Sequence, residues 1–283
     1  MNRTLLDRLL SSTRKSPRAE WPELSSAARG HRVVVASYNI HKCVGTDGKF
    51  DPDRVAAVIA EIGADVIALQ EADRRFGLRD GLLNMEALRQ QTELCLAPCA
   101  IRPDSHGWHG NAILVRGSAP VDVRRLKLPY AEPRGALVAE LELPQGPMRI
   151  IAAHLGLMRR YRRLQAAAIL REIELGARIP TLLMGDLNEW RPNHARSVFS
   201  ALEPFFGASL THQPNSFPSR LPFLALDRIL GWPDGVVETV TVHDTPLARK
   251  ASDHLPIKAV IDLSAAESLA APSSVKMHDN AAD

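Results

Sequence analysis

The chain has 283 residues, 45% of them hydrophobic and 24% charged, which is the composition of an ordinary globular protein. Its formal net charge of +3 is smaller than that of proteins that coat themselves with nucleic acid. No run approaches the roughly 18 apolar residues of a membrane span. The three cysteines lack companion ligands at zinc-site spacing, so we expect reduced thiols in a cytoplasmic protein.

The two ends of the chain differ in composition from the part between them. Residues 1–30 are rich in Arg and Ser without an apolar core, which predicts a flexible basic leader rather than a secretory signal. The run "LLDRLL" (5–10) leaves a second interpretation open, a short amphipathic helix in peripheral contact with the inner membrane face. Residues 264–283 predict a disordered tail. The predicted domain therefore spans residues 31–263, and we expect a monomer.

The first half of this domain predicts strands separated by helices. Two strands are predicted at residues 31–40 and 64–71, with an amphipathic helix between them that opens on Asp51-Pro52. A second helix is predicted at residues 81–91. Residues 110–128 predict a β-hairpin with Gly, Ser and Pro in its turn.

The second half predicts more strands than helices. A long helix is predicted at about residues 161–176, and strands at residues 135–143, 148–157, 181–186, 224–232, 237–244 and 253–263. Because strands and helices do not alternate strictly, we predict an α+β fold: a four-layer α/β/β/α sandwich, two mostly antiparallel sheets packed face to face with helices outside. Residues 204–225 carry four prolines and predict a long functional loop.

Polar side chains collect at one end of the predicted strands. They are Asn39, Glu71, His154, Asp186, Asn188, Asp227, Asp253 and His254. Singly, each has an ordinary structural explanation, since Asn and Asp at strand ends often make turns and a lone His is usually hydrogen-bonded. Their repetition favours one shared site at a mouth of the sandwich.

The residue types at this mouth indicate a reaction class. Carboxylate and amide oxygens suit Mg²⁺ or Mn²⁺ better than zinc, and two imidazoles suit proton transfer and charge stabilisation near neutral pH. The sequence has neither a Gly-rich phosphate loop nor a serine nucleophile elbow. The chemistry that these residues favour is the metal-assisted attack of water on a phosphate ester.

Eight short motifs occur in the order that a known superfamily shows. They are "SYNIH", "LQE", "HGNAILV", "PRGALVAEL", "AAHLGL", "GDLNEW", "LDRIL" and "SDHLPI". Together they resemble the endonuclease/exonuclease/phosphatase superfamily, which includes DNase I-like nucleases, inositol-phosphate phosphatases and sphingomyelinases. The resemblance runs from about residue 33 to residue 262.

The resemblance implies a metal site. Position by position, Glu71 matches the direct metal ligand, supported by Asn39 and by Asp253. The implied cofactor is Mg²⁺, for which Mn²⁺ substitutes.

The resemblance also implies catalytic roles. Asp186 would orient or deprotonate the attacking water, and Asn188 would steady the phosphoryl oxygens. His254, paired with Asp227, would stabilise charge on the phosphate. His154 matches a histidine of the nuclease and sphingomyelinase branches and is the candidate proton donor to the leaving group.

Other residues are candidates for binding substrate. Strand periodicity places His41 on the same side as the site, although a bond to a loop carbonyl explains it as well. Arg134 offers a planar fork to a phosphate, and His109 and Asn111 lie in the "HGN" motif. The run "RRYRR" (159–163) is either a solvated helix face or a collar for an anionic substrate.

The motifs predict the reaction and not the substrate, because members of the superfamily share a chemistry rather than a substrate. The sequence favours a phosphodiesterase or nuclease. The alternative is an enzyme for phospholipid headgroups or other small phosphate esters at a membrane surface, favoured by the Phe- and Pro-rich segment 204–225. A non-catalytic scaffold would lack an essential residue, and none of the eight is missing.

Overall fold

The structure is a computed structural model that describes residues 30–74, 77–117, 122–129, 132–210 and 213–266. The predicted leader, apart from Gly30, lies outside the described residues, as does the predicted tail beyond Ala266. The predicted disorder of both segments stays a prediction. No helix in the described ranges is long and apolar enough to cross a membrane.

The described residues form eleven strands and five α-helices. The strands are β1 (Arg32–Asn39), β2 (Val66–Gln70), β3 (Leu94–Leu96), β4 (Ala112–Arg116), β5 (Asp122–Lys127), β6 (Gly135–Leu143), β7 (Gly146–His154), β8 (Thr181–Asp186), β9 (Asp227–Trp232), β10 (Val237–Val242) and β11 (Ile257–Asp262). The helices are α1 (Pro52–Ile62), α2 (Met85–Thr92), α3 (Arg159–Leu175), α4 (Phe199–Phe206) and α5 (Pro246–Ala251). The long helix and the helix predicted at residues 81–91 are therefore present, with shifted ends.

Local sequence explains where the first helix begins and ends. The carboxylate of Asp51 accepts a hydrogen bond from the backbone N–H of Arg54, and Pro52 occupies the first helical position. Gly63 ends the helix in the left-handed region, with φ of +66°. Val55, Val58, Ile59 and Ile62 repeat at helical spacing and bury one face against a sheet.

The strands form two sheets, and each sheet contains one parallel pair. The first has the order β10-β11-β1-β2-β4-β3, and the second the order β5-β6-β7-β8-β9. The parallel pairs are β1 with β2 and β7 with β8, and the other pairs are antiparallel. A parallel pair needs a crossover connection, which α1 supplies in the first sheet and α3 in the second. The carboxyl ends of each pair consequently meet at one edge.

Three apolar clusters hold the layers together and confirm the predicted sandwich. One lies between the sheets and includes Val35, Ala68, Leu137, Ile150 and Met184. The other two cover the outer faces, where α1, α2 and α5 pack on the first sheet and α3 and α4 on the second. The result is the four-layer α/β/β/α arrangement with two mostly antiparallel sheets.

The predicted hairpin at residues 110–128 was wrong. Its two strands lie in different sheets: β4 pairs with β2 and β3, whereas β5 pairs with β6. The chain crosses from one sheet to the other between them. Alternating strands separated by turn residues are compatible with either arrangement, because local sequence does not define the partner of a strand.

The predicted loop at residues 204–225 is partly helical. Phe199, Leu202 and Phe206 pack α4 onto the second sheet, and a 3-10 turn, Gly207–Leu210, continues it. Apolar packing there outweighs the presence of Pro204 within a helix. At the other end of the domain, a 3-10 turn spans Leu263–Ala266, three residues beyond the predicted boundary, because Ser264 bonds the carboxylate of Asp262.

Candidate active site

The strand ends bring the predicted polar residues to one mouth of the sandwich. In the first sheet Asn39 pairs in register with Gln70, directly before Glu71. In the second sheet Asp186 pairs with His154 on one side and Asp227 on the other. The Nδ2 group of Asn39 donates to Oδ2 of Asp186 over 3.1 Å, so a buried hydrogen bond joins the two sheets at this mouth.

Asp186 lies at the centre of the site. Its Oδ2 is 3.5 Å from Nε2 of His154 and 3.8 Å from Nε2 of His254. Its Oδ1 accepts the backbone N–H of Asn188 over 2.9 Å, and the side-chain amide of Asn188 donates to the carbonyl of Leu155. Asp186 is only 2% exposed, so its charge acts on its neighbours with little screening by water.

Close packing of two strands explains the glycine before Asp186. Gly185 has φ of +148°, and a Cβ atom at this position would lie 1.8 Å from the carbonyl oxygen of Ala153. Only glycine fits both restrictions. The "GD" pair of the sequence motif is therefore a backbone requirement of β8 followed by the central carboxylate.

The two histidines have opposite preferences for a proton. Burial lowers the pKa of His154 to about 3, against the opposing attraction of Asp186. Burial also acts on His254, but the carboxylates of Asp227, Asp186 and Asp253 prevail and raise its pKa to about 10. Near neutral pH the ring of His154 is neutral and that of His254 is an imidazolium.

The imidazolium of His254 is held from below. Its Nδ1 donates to Oδ2 of Asp227 over 2.8 Å, and the hydroxyl group of Ser216 donates to the same oxygen. The ring of Phe217 lies 4.8 Å from the imidazole centroid. The other protonated nitrogen of the ring, Nε2, therefore faces Asp186 within the site.

Glu71 lies at the cleft surface in a strained backbone conformation. Its φ is +58°, and the ammonium group of Lys42 forms an ion pair with its carboxylate. His41, Lys42 and Cys43 also have positive φ values, of 46°, 54° and 59°. Left-handed backbone is costly for non-glycine residues and clusters at functional sites. The turn directs the Lys42 side chain to Glu71, at the end of β2.

Two groups of side chains offer ligands to a divalent cation. Donor atoms of Asp186, Asp227 and His254 lie within 4.8 Å of one another, and Oδ1 of Asp227 has no hydrogen-bond partner among the described residues. Because the pKa of His254 is raised, the proton on its ring already balances part of the negative charge of Asp186 and Asp227. The Glu71 carboxylate instead holds an exchangeable cation, the Lys42 ammonium. Hard carboxylate oxygens fit Mg²⁺ or Mn²⁺, so the Glu71 carboxylate also offers a suitable ligand.

A cleft opens beside these groups. Its walls are formed by Lys42, Glu71, Asp73, Arg74, Arg79, His109, Gly110, Pro133, Arg134 and His154. The guanidinium of Arg134 pairs with Glu132 at 3.0 Å, which holds it on the wall. His109 stands edge-on against Trp108 with ring centroids 4.3 Å apart.

Two predicted residues, Asn111 and His41, have other contacts. Asn111 is fully buried away from the cleft wall, because its Nδ2 group donates to the carbonyls of Trp108 and Gly135. Nδ1 of His41 is 2.9 Å from the carbonyl of Val44, so the loop-carbonyl interpretation describes this residue. The Asp253 carboxylate is 3.6 Å from the same nitrogen and stays partly exposed.

The predicted arginine collar loses one member. Arg162 is 1% exposed and forms an ion pair with Glu189 at 3.2 Å, while Arg160 and Arg163 face outwards. Arg162 also donates to the carbonyls of Gly156 and Leu157. It therefore fixes the loop after His154 to the loop after Asn188.

Sequence reasoning missed several residues of the site. Lys42 directly follows the "NIH" motif, so its position was a usable signal once Asn39 had been singled out. Ser216 gave no signal, because a serine in a proline-rich segment has many ordinary explanations. Arg74 and Arg79 lie in a loop after Glu71, and only the fold turns that loop towards the cleft.

Comparison with known proteins agrees with this architecture. Residues 36–254 match the model of the Endonuclease/Exonuclease/phosphatase family. The chain belongs to this family. Members of the family hydrolyse phosphoester bonds, and the family includes metal-dependent nucleases and phosphodiesterases. The predicted resemblance is thereby confirmed, and so is hydrolysis of phosphate esters as the class of chemistry.

Three similar proteins are between 15% and 28% identical to the chain. YbhP of Escherichia coli, an uncharacterised protein, is 28% identical over 249 residues, which cover 81% of this chain and 96% of YbhP. An endonuclease/exonuclease/phosphatase from Beutenbergia cavernae superposes with a TM-score of 0.59 at 20% identity, over 82% of this chain and 72% of that one. Danio rerio TDP2, complexed with a single-strand DNA product, gives a TM-score of 0.60 at 15% identity, over 81% and 98%. The structural likenesses establish a shared fold.

Proposed function

We propose that this protein is a divalent-metal-dependent phosphodiesterase that uses water as the nucleophile. The observation that carries the proposal is the central carboxylate of Asp186, which contacts Asn39, His154 and His254 at one buried point. Two imidazoles held in opposite protonation states beside one carboxylate are suited to acid–base chemistry at neutral pH.

Each side chain has a role in the proposed reaction. Asp186 orients the attacking water and accepts one of its protons as the oxygen bonds to phosphorus. The imidazolium of His254 and the amide of Asn188 stabilise the negative charge on the phosphoryl oxygens. When the ester P–O bond breaks, the proton on Asp186 passes through Nε2 of His154, 3.5 Å away, to the leaving oxygen. Water is thus split between the phosphate product and the alcohol.

The metal site of this proposal is Glu71, with Asn39 and Asp253 in support. A bound Mg²⁺ or Mn²⁺ would supply Lewis-acid stabilisation of phosphoryl charge. Lys42, now paired with Glu71, would be released towards the substrate when a cation takes its place. Arg134 and His109 line the same cleft and would contact the ester.

Nucleic acid is the first substrate class to test. The family includes nucleases, and the TDP2 structure of similar fold contains a single-strand DNA product. The cationic side chains of the cleft wall suit a polyanion. His154 resembles a histidine of both the nuclease and the sphingomyelinase branches, so it suits either substrate class.

A phospholipid headgroup is the second candidate, favoured by exposed apolar side chains in the loops around the mouth. Leu157 and Met158 follow His154, Trp190 follows Asn188, and Leu221 and Phe223 belong to the loop that carries Phe217. All five are about half exposed or more. Large apolar side chains beside basic ones, such as Arg191 over the Trp190 ring, suit peripheral contact with an anionic membrane surface.

The deciding experiment measures phosphate-ester hydrolysis by the purified chain. Plasmid DNA, single-stranded DNA, RNA, bis-p-nitrophenyl phosphate and phospholipid vesicles are compared with Mg²⁺, with Mn²⁺ and with EDTA. Metal-dependent nicking of DNA establishes a nuclease, whereas turnover of lipid or small diesters alone establishes the second candidate.

Two variants test the assignment of the site. Asp186→Asn and His254→Ala should each lower kcat by about 10²-fold or more while the circular dichroism spectrum stays that of the parent chain. Asp186→Asn also reveals any contaminating nuclease. Near-parental turnover in either variant would contradict the assigned roles.

A further inference from the structure

The loop that follows His154 is held by hydrogen bonds at every backbone group. Its residues 155–157 offer three N–H and three C=O groups, and each of them has a partner. The partners are the carbonyl of Asp186 and the side chains of Glu132, Arg162, Gln165 and Asn188. A fully bonded network of this kind makes irregular backbone rigid, so these partners define where His154 stands.

Two of the partners tie the loop to the layers around it. Arg162 donates to the carbonyls of Gly156 and Leu157 from the first turn of α3. Gln165, further along α3, accepts the N–H of Gly156 over 2.9 Å and donates to the carbonyl of Pro129 over 3.3 Å. The loop is thus fixed both to α3 and to the segment that precedes β6.

Glu132, in that segment, divides its carboxylate between the loop and the cleft wall. Its Oε1 accepts the backbone N–H of Leu157 over 3.0 Å. Its Oε2 accepts the Nε–H of Arg134 over 3.1 Å and lies 3.0 Å from Nη2 of the same guanidinium. Arg134 and His154 both line the cleft. One carboxylate therefore connects an arginine of the cleft wall with the loop of the neighbouring histidine.

The contacts of Arg134 leave one side of its guanidinium available. Glu132 engages Nε and Nη2, whereas Nη1 forms no hydrogen bond with a residue that the structure describes. The charge of Arg134 also reaches His154: burial is the main cause of the low pKa of that ring, and Arg134 acts in the same direction. The two side chains are thus electrostatic neighbours, and Glu132 holds both of them.

We infer that Glu132 is a positioning residue that fixes Arg134 and His154 relative to each other in the cleft. The inference rests on the proposed function, in which Arg134 contacts the phosphate ester and His154 protonates the leaving oxygen. A phosphate that is bound by a guanidinium held in place brings its leaving oxygen to a defined point, and proton transfer requires the donor at that point. Glu132 itself touches neither the substrate nor a reacting atom.

Two substitutions separate the two contacts of Glu132. Glu132→Gln keeps an oxygen that accepts the N–H of Leu157 but loses the charge that pairs with Arg134. Glu132→Ala removes both contacts. The matched control is Glu142→Ala, which removes an exposed carboxylate from β6. Arg134→Ala supplies the background in which the arginine contact is already absent.

Matched esters report on the histidine side of this arrangement. With Mg²⁺ present, kcat is measured for methyl phenyl phosphate and methyl p-nitrophenyl phosphate, because phenol depends more on a proton donor than p-nitrophenol does. Glu132→Ala should lower kcat about tenfold or more for the phenyl ester and less than about threefold for the p-nitrophenyl ester. Glu132→Gln and Glu142→Ala should keep the parental ratio. Equal losses for the two esters in Glu132→Ala would mean general damage to the fold and overturn the inference.

The Michaelis constant reports on the arginine side. Glu132→Ala and Glu132→Gln should each raise KM about threefold or more in the parent chain and leave it unchanged in the Arg134→Ala background, because the effect runs through that guanidinium. Effects on KM that multiply in the double variants would contradict the assigned contact.

Amide hydrogen exchange separates this inference from the proposed function, because it requires no hydrolysis. Measured by NMR with EDTA present, exchange of the Leu157 N–H should be about fivefold faster or more in Glu132→Ala, and unchanged in Glu132→Gln and Glu142→Ala. Faster exchange in Glu132→Ala alone supports the hold on the loop even where no ester is cleaved, an outcome that counts against the proposed function. Equal exchange in all four proteins overturns the inference even where the esters are hydrolysed.

Discussion

At the scale of single residues, the environment divides two histidines of one site into different acids. His154 is buried against a carboxylate that cannot offset its loss of water, so burial lowers its pKa to about 3. Burial acts on His254 too, but its direct bond to Asp227 and the nearby carboxylates raise its pKa to about 10. The contrast follows from the 2.8 Å contact, which His154 lacks.

This contrast predicts a pH behaviour that differs from that of ordinary histidine. In the metal-free protein the imidazole of His154 should stay neutral and that of His254 should stay protonated between about pH 5 and 8, where a free imidazole changes its charge. Nitrogen-detected NMR titration of the labelled protein measures both rings, and Asp227→Asn provides the control. A transition of either ring near its ordinary pKa, about 6.5, would contradict the prediction.

Glu71 predicts a defect in metal dependence rather than a simple loss of rate. Glu71→Ala should raise the Mg²⁺ concentration required for half-maximal turnover by about tenfold or more, because a direct carboxylate ligand is removed. Lys42→Ala is the matched control, since it removes the cation that pairs with Glu71 and keeps the carboxylate. An unchanged Mg²⁺ titration of Glu71→Ala would place the metal ligand elsewhere.

At the scale of elements, one buried ion pair joins the loops that follow His154 and Asn188. Arg162, at the start of α3, reaches Glu189 behind Asn188 and also holds the carbonyl of Leu157, three residues after His154. Glu189 accepts the backbone N–H groups of Arg191 and Val198. The hydrogen bonds of this network order the segments that follow His154 and Asn188.

Removal of the arginine alone should destabilise the fold. Arg162→Ala leaves the charge of Glu189 buried without its partner, so we expect the free energy of unfolding to fall by about 3–5 kcal/mol in urea titrations. The exposed neighbour Arg163 supplies the control, because Arg163→Ala removes the same side chain from a solvated position. Equal midpoints for the two variants would show that the pair contributes nothing.

At the scale of the whole molecule, the two ends of the described domain meet. The backbone N–H of Leu263 donates to the carbonyl of His31 over 3.0 Å, and Leu263 is buried between the sheets. A chain restricted to residues 31–266 should therefore unfold at the midpoint of the full chain and hydrolyse bis-p-nitrophenyl phosphate at a similar rate. A lower midpoint or lost turnover would show that the ends contribute to the folded domain.

The layers of this molecule were predictable because strands and helices carry their burial pattern locally. Val55, Val58 and Ile62 repeat at helical spacing, and the predicted α1 is present. The partner of a strand is a different matter, and the hairpin of β4 with β5 failed because both strands have partners elsewhere in the chain.

The candidate site shows the same division. Asn39, His154 and Asp186 lie together as predicted, because each ends a strand and parallel neighbours place their carboxyl ends together. Lys42 and Arg79 were missed because they reach the cleft through backbone turns with positive φ, which non-glycine residues do not announce.

The hydrogen bonds of Asn39 with Asp186 and of His254 with Asp227 have a consequence for how this architecture tolerates change. Half of the candidate site residues belong to one sheet and half to the other. The spacing of the two halves therefore depends on the thickness of the apolar layer between the sheets. A larger or smaller side chain deep in that layer, far from any reacting atom, would change the separation of the two halves of the site. The rate of turnover should therefore depend on the packing of side chains between the two sheets.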